Sequence, residues 1–107
     1  MSDAFQDREH TFEKQFAHDG DLHFKAVARR NKALALWVAG MKKLSQADAE
    51  KYAGAFVAAQ VGKSDADVAA ALKADFDRGE VDLSDHRLRK KMDEEMAEAS
   101  ASVKAGR

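Results

Sequence analysis

Cysteine and proline are absent from the 107-residue sequence, and only six glycines interrupt it. Without cysteine there can be no disulfide framework and no thiolate chemistry. A chain without proline that is rich in Ala, Lys, Glu and Asp has the composition of an all-α protein. No apolar run approaches the ~18 residues that cross a bilayer, and the chain does not open on a basic-then-apolar signal. We therefore expect one all-α domain that inserts into no membrane and works in the cytoplasm.

Sequence signals for catalysis, cofactors and metals are also missing. There is no G-x-S-x-G motif, no glycine-rich phosphate loop and no pair of carboxylates that stands apart from the general charge. The run HDGDLH offers His18, Asp19, Asp21 and His23, but no recognised ligand spacing connects them. The run DFDRGE lacks the alternating ligands of a calcium loop. We expect neither an enzyme nor a cofactor or metal site.

The net charge of −1 is unevenly distributed along the chain. Residues 1–20 carry five acidic and two basic side chains, whereas residues 21–44 carry one acidic and six basic side chains. This predicts an acidic N-terminal segment that leads into a basic helix. A domain that holds a phosphate backbone is usually basic overall, so nucleic acid is a weak candidate partner.

The strongest predicted element is a long helix over residues 21–43. Its apolar positions step by four and three, which is the spacing of one helical face. The members of this stripe are Val27, Leu34, Val38 and Met41, with Asn31 filling the gap and with Leu22, Phe24, Leu36 and Trp37 widening it. We expect the Leu, Val, Phe, Trp and Met side chains of this stripe to form the core.

Three further helices are predicted over residues 46–61, 65–78 and 85–103. Each follows a serine in the N-cap position, and Gly62 has the place of a C-terminal glycine after the first of them. Their core stripes comprise Ala49, Tyr52, Ala53, Phe56, Val57 and Val61; Val68, Leu72 and Phe76; and Leu88, Met92, Met96, Ala99 and Val103. Because the connections are short, residues 20–107 are expected to form a four-helix bundle.

The N-terminal segment has an interrupted apolar stripe. Phe5, Phe12 and Phe16 share one side of a helix, but Arg8 or Glu9 occupies the turn between the first two rings. Gly20, between two aspartates, predicts a break, so residues 1–19 should be a flexible, partly helical arm. Two interpretations remain open. The Phe stripe is packed over the bundle as a fifth helix, or the arm is a recognition segment that becomes helical in a partner's groove.

The run FAHDGDLHFKAVARRNKALALWVAG, with the preceding DREHTFEKQ, resembles the zeta-type inhibitor subunit of bacterial F-type ATP synthases, a small all-helical family. The resemblance covers essentially the whole chain. It is strongest at Phe16-Ala17 with Asp19, then Leu22, Phe24-Lys25, Ala28-Arg29-Arg30-Asn31 and Trp37. The departure is Gly20-Asp21, where a better helix former is expected.

The resemblance implies a protein inhibitor whose N-terminal segment, Asp3 to Asp19, enters a catalytic interface of the ATPase head and blocks hydrolytic rotation. The bundle would anchor and position that segment, and we expect the free protein to be a monomer. Carried over by position, the contacts in the arm are Asp3, Phe5, Arg8, Glu9, Phe12, Lys14 and Phe16.

A concentrated basic patch follows the arm, formed by Lys25, Arg29, Arg30 and Lys32. Its simplest interpretation is a solvated face that offsets acidic segments of the chain, and Arg29 and Arg30 are added to the candidate partner contacts. The alternative function is a helical interaction or scaffold module that touches RNA through this helix. No aromatic residue lies beside the patch in a stacking arrangement, which disfavours RNA.

Overall fold

The computed structural model describes the backbone of residues 2–78 and 83–107 and the side chains of residues 20–78 and 83–107. Within these residues the chain forms four α-helices and no strand: α1 (Ser2–Met41), α2 (Gln46–Ala59), α3 (Asp65–Arg78) and α4 (Asp85–Lys104). The predicted all-α, four-helix fold is confirmed. The helix α3 has the predicted bounds, and α2 and α4 agree with theirs to within two residues.

The helix α1 differs from its prediction, because it begins at Ser2 and continues through Gly20 without the expected break. One glycine inside a helix costs only about 1 kcal/mol relative to alanine, which good helix formers on both sides can offset. Just beyond it, Asp21 and Lys25 form an ion pair of 3.3 Å across one turn, and such pairs support a helix. The mobility expected of residues 1–19 remains a prediction.

Serine side chains begin the other three helices, as the sequence predicts. The Oγ atoms of Ser45, Ser64 and Ser84 each accept a hydrogen bond, at 3.2 Å, from the backbone N–H three residues further on. These bonds satisfy donors that have no partner inside the helix. Gly62 has a φ of +77°, but it does not have the place predicted for it directly after α2, because α2 ends at Ala59 with Gln60 as its C-cap. Gly62 lies instead in the turn that the Lys63 N–H closes on the Gln60 carbonyl.

The main core lies between α1 and the other three helices. α1 contacts each of them, and α3 also contacts α4. The buried residues of this core are Leu34, Ala35, Val38, Ala53, Phe56, Val68, Leu72, Phe76, Leu88 and Met92. At its centre the rings of Trp37 and Phe76 meet edge to face, with their centroids 5.6 Å apart. The stripes predicted for α3 and the first turns of α4 are thus confirmed as core.

A second, smaller core joins the part of α1 around Ala26 to the last turns of α4. Ala26, Ala99 and Val103 are buried there, and Leu22 and Met96 pack against them while half-buried. The bundle packing seen in the described residues therefore begins at Leu22, two residues after Gly20.

An ion pair also joins α3 to the first turn of α4. Lys73 Nζ lies 2.7 Å from Asp85 Oδ1. Their hydrogen bond is the main cause of a raised pKa for Lys73 and a lowered pKa for Asp85. Because both groups are exposed to solvent, the pair fixes orientation more than it adds stability.

Replacing Gly20 with alanine should increase helicity and stabilise α1 by up to about 1 kcal/mol. A Cβ at this position would meet no atom within 4 Å, and the backbone is already helical. The control is Gly62→Ala, which has equal space but a φ of +77° and should destabilise the protein by about 1 kcal/mol. Circular dichroism measures the helicity of both variants, and urea unfolding measures their stability. If both substitutions changed the free energy of unfolding in the same direction, this account would be contradicted.

Candidate partner-binding surface

The arm residues implied as partner contacts all lie on the N-terminal half of α1. Their side chains are outside the described residues, so their roles stay predictions: Asp3, Phe5, Arg8, Glu9, Phe12, Lys14 and Phe16. The helical register of the backbone puts Phe5, Phe12 and Phe16 within about 40° of one another around the α1 axis. Whether these rings are part of the core likewise lies outside the described residues.

The same face of α1 continues past Gly20 into the packed part of the helix. His23 follows Phe5 by about five full turns, and Val27 lies only about 40° further round. An apolar partner that followed the Phe stripe along α1 would therefore reach His23 and Val27 next.

Beside His23 and Val27, α1 and the end of α2 line an open groove of about 350 Å³. The lining residues are Gly20, His23, Phe24, Val27, Ala28 and Asn31 from α1, and Val57, Gln60, Val61, Gly62 and Lys63 from the end of α2. We call this surface the α1–α2 groove. Its exposed lining is predominantly apolar, and its outer edges are formed by Phe24 and Val61.

The exposure of Phe24 and Val61 corrects the sequence analysis, which assigned both to the core. Phe24 is 57 % exposed and Val61 is 61 % exposed. The cause lies in α2, which ends at Ala59, so Val61 falls beyond the last helical turn. Phe24 lines the same groove as Val61 and stays exposed with it.

Lys63 gives the lining of the groove one positive charge. His23 and Lys63 are the titratable residues that line it, and none of the described lining residues is acidic. Asp21, which follows Gly20 in α1, is paired with Lys25 at 3.3 Å and lies about a third of a turn round the helix from Val27. The groove thus combines apolar walls with one cationic residue, Lys63.

Arg30 is a second correction, because it does not belong to a solvated basic face. It is only 2 % exposed, and its guanidinium makes three hydrogen bonds. Nη1 donates to Asp65 Oδ1 at 2.8 Å, while Nε and Nη2 donate to Asn31 Oδ1 at 3.2 and 3.1 Å. Arg30 therefore ties the middle of α1 to the first residue of α3. A signal for this burial was present, since Ala26, Arg30 and Leu34 are four residues apart.

The rest of the basic patch is only partly free. Arg29 is exposed, but its guanidinium donates to the backbone carbonyl of Arg107, which links α1 to the end of the chain. Lys25 is paired with Asp21. Lys32 is exposed. The four basic residues thus do not form one continuous surface, because Arg30 points inward.

Metal-binding clusters and bilayer-spanning helices are both absent from the residues that the structure describes. No group of three His, Asp or Glu side chains there could hold a metal ion. Within the same residues, no helix combines the length and the hydropathy that crossing a bilayer would need.

Comparison with known proteins gives one match. The model of a family described as ATPase inhibitor subunit zeta matches residues 1–102. Searches of the curated proteins and of the solved structures found no match. The family match covers the N-terminal half of α1 as well as the bundle, and it agrees with the resemblance seen in the sequence.

Proposed function

Because this chain belongs to the ATPase inhibitor subunit zeta family, we propose that it inhibits ATP hydrolysis by the catalytic head of an F-type ATP synthase. The N-terminal half of α1, residues 2–19, is the inhibitory segment. It inserts into a catalytic interface of the head, while residues 20–107 anchor it. The single observation that carries this proposal is a family match that includes both parts of the chain.

The geometry of α1 supports such a role. At 1.5 Å per residue, residues 2–19 extend α1 by about 27 Å. A helix of that length is long enough to reach into a cleft between two subunits. It is continuous with the helix on which the bundle is built, so the bundle can set its direction. In helical form, this segment would pay less ordering entropy on binding than a disordered peptide.

Inhibition by a wedged helix depends on conformational preference. Hydrolysis requires catalytic interfaces to open and close in turn. A helix that binds an interface in one of these conformations holds the interface in that conformation. The helix can shift that equilibrium only by its difference in affinity between the conformations. The Phe stripe would supply apolar contact area, and Arg8, Glu9 and Lys14 would supply oriented charge pairs.

The RNA-binding alternative loses support from the position of Arg30. Its guanidinium is buried and hydrogen-bonded inside the bundle, so it is not available to a phosphate. Arg29 is bonded to the carbonyl of Arg107. Nucleic-acid binding through backbone contacts needs a continuous stripe of free cations, and this patch is interrupted.

The test is to add the chain to a purified F-type ATPase head and to measure ATP hydrolysis. The full chain should lower the rate, and the chain lacking residues 1–19 should lose that effect while it still unfolds cooperatively in urea. A matched pair of charge reversals sharpens the result. Arg8→Glu should weaken inhibition about tenfold, whereas Arg87→Glu, on an exposed position of α4, should not.

Two outcomes would contradict the proposal. If the shortened chain no longer folds, the Phe stripe is part of the core and residues 1–19 are not a separate functional segment. If the shortened chain inhibits as well as the full chain, the inhibitory element lies elsewhere.

A further inference from the structure

We propose that the α1–α2 groove is a second docking site on this chain, and that it binds an acidic segment of the ATPase head that presents an apolar side chain. This inference rests on the function proposed above and specifies how the bundle anchors the inhibitory helix. It concerns residues 20–31 and 57–63 and does not depend on the side chains of the arm.

The first argument is the exposure of apolar surface. Among residues 20–78 and 83–107, Phe24 and Val61 are the large apolar side chains that remain exposed, and both line the same groove. Single exposed apolar residues are ordinary, whereas Phe24 and Val61 line one groove together, and exposed apolar clefts of this kind include ligand and protein-binding grooves. The groove is open enough to accept one side chain, or a few, from a partner.

The second argument is charge. His23 and Lys63 line the groove, and no described lining residue is acidic. An occupant that places an apolar side chain between Phe24 and Val61 would bring its flanking residues close to Lys63. Carboxylates at those flanking positions would be attracted, and lysines or arginines would be repelled. The chemistry therefore favours an acidic segment.

The third argument is continuity along α1. The helix passes without a break from the proposed inhibitory segment into the groove, and its register brings His23 and Val27 onto the face of Phe5, Phe12 and Phe16. A partner surface that follows this face arrives at the groove. The two contacts would then act together, because binding of one holds the other at a high effective concentration.

The charge distribution argues against a second copy of this chain as the occupant. In a two-fold pair the same patch faces itself, so each groove would bring its own His23 and Lys63 against those of the other. No acidic lining residue is available in the described groove to compensate. A different protein with an acidic segment fits better.

The experiment measures the affinity of full-length variants for the purified ATPase head. Val61→Glu places a negative charge in the groove, and Lys63→Glu reverses the charge at its rim; each should raise the Kd about tenfold. The matched control is Lys90→Glu on α4, which is also exposed but remote in the sequence, and its Kd should stay within about twofold of the wild type. The effect of Lys63→Glu should shrink as salt is raised.

A photo-crosslinker at position 61 identifies the occupant, and it should join this chain to an Asp- or Glu-rich segment of the head. If the wild type binds and inhibits but Val61→Glu and Lys63→Glu behave as Lys90→Glu does, the groove inference is overturned and the proposed function stands. If the wild type neither binds nor inhibits, both fall. A dimer in sedimentation that Val61→Glu abolishes would make a second copy the occupant and would also overturn the inference.

Discussion

Replacing Phe76 with alanine is expected to lower the free energy of unfolding by about 3–5 kcal/mol. The ring is 1 % exposed and meets the edge of Trp37 at a centroid distance of 5.6 Å. The substitution removes the apolar surface of the ring, the aromatic contact and the packing around the cavity that is left. A chain of this size has a total stability of only about 5–15 kcal/mol, so most of it could be lost.

The measurement is urea unfolding, followed by far-UV circular dichroism and by Trp37 fluorescence. The matched control is Phe24→Ala, which removes the same atoms from a position that is 57 % exposed, and it should cost less than about 1 kcal/mol. At about 4–8 °C of melting temperature per kcal/mol for a domain of this size, the two variants are easily separated. Equal losses from both variants would mean that Phe24 is packed as firmly as Phe76.

The core around Phe76 was predictable because its signals are local. Val68, Leu72 and Phe76 recur every four residues between a capping serine and the end of α3. Large apolar residues at a spacing of four define one helical face, whichever helices pack against it. The capping serines were predictable for the same reason, since a cap depends on the three residues that follow it.

The path of α1 through Gly20 was not predicted. A glycine between two aspartates favours a turn or a helix start, and this preference is real but small, about 1 kcal/mol. The structure instead combines a helical backbone on both sides with the Asp21–Lys25 pair. Weak local preferences of this size are decided by neighbouring turns, and a single sequence does not rank them.

The α1–α2 groove was missed because it depends on how two helices meet. Phe24 has core spacing within α1, and Val61 has core spacing after Val57. Their exposure follows from the end of α2 at Ala59 and from the position of that end beside α1. Periodicity identifies an apolar face but does not say how much of it the partner helix covers.

The second large effect is expected for Arg30→Ala, which should cost about 2–3 kcal/mol. The substitution removes the aliphatic stem of a side chain that is 2 % exposed, and stems of this kind pack as apolar groups. It also takes two donors away from Asn31 Oδ1, and a buried acceptor without a partner costs about 1–3 kcal/mol. Urea unfolding measures the loss.

Two controls separate these causes. Arg29→Ala alters the exposed neighbour and should cost no more than about 0.5 kcal/mol. Asp65→Asn removes the charge partner of Arg30 but should cost less than Arg30→Ala, because the Asp65 side chain is 77 % exposed and the amide oxygen of an asparagine can still accept the hydrogen bond from Arg30 Nη1. If Arg29→Ala were as costly as Arg30→Ala, or if Asp65→Asn were the worst of the three, then exposed charge, and not the burial of Arg30 with its hydrogen bonds to Asn31, would account for the stability lost in Arg30→Ala.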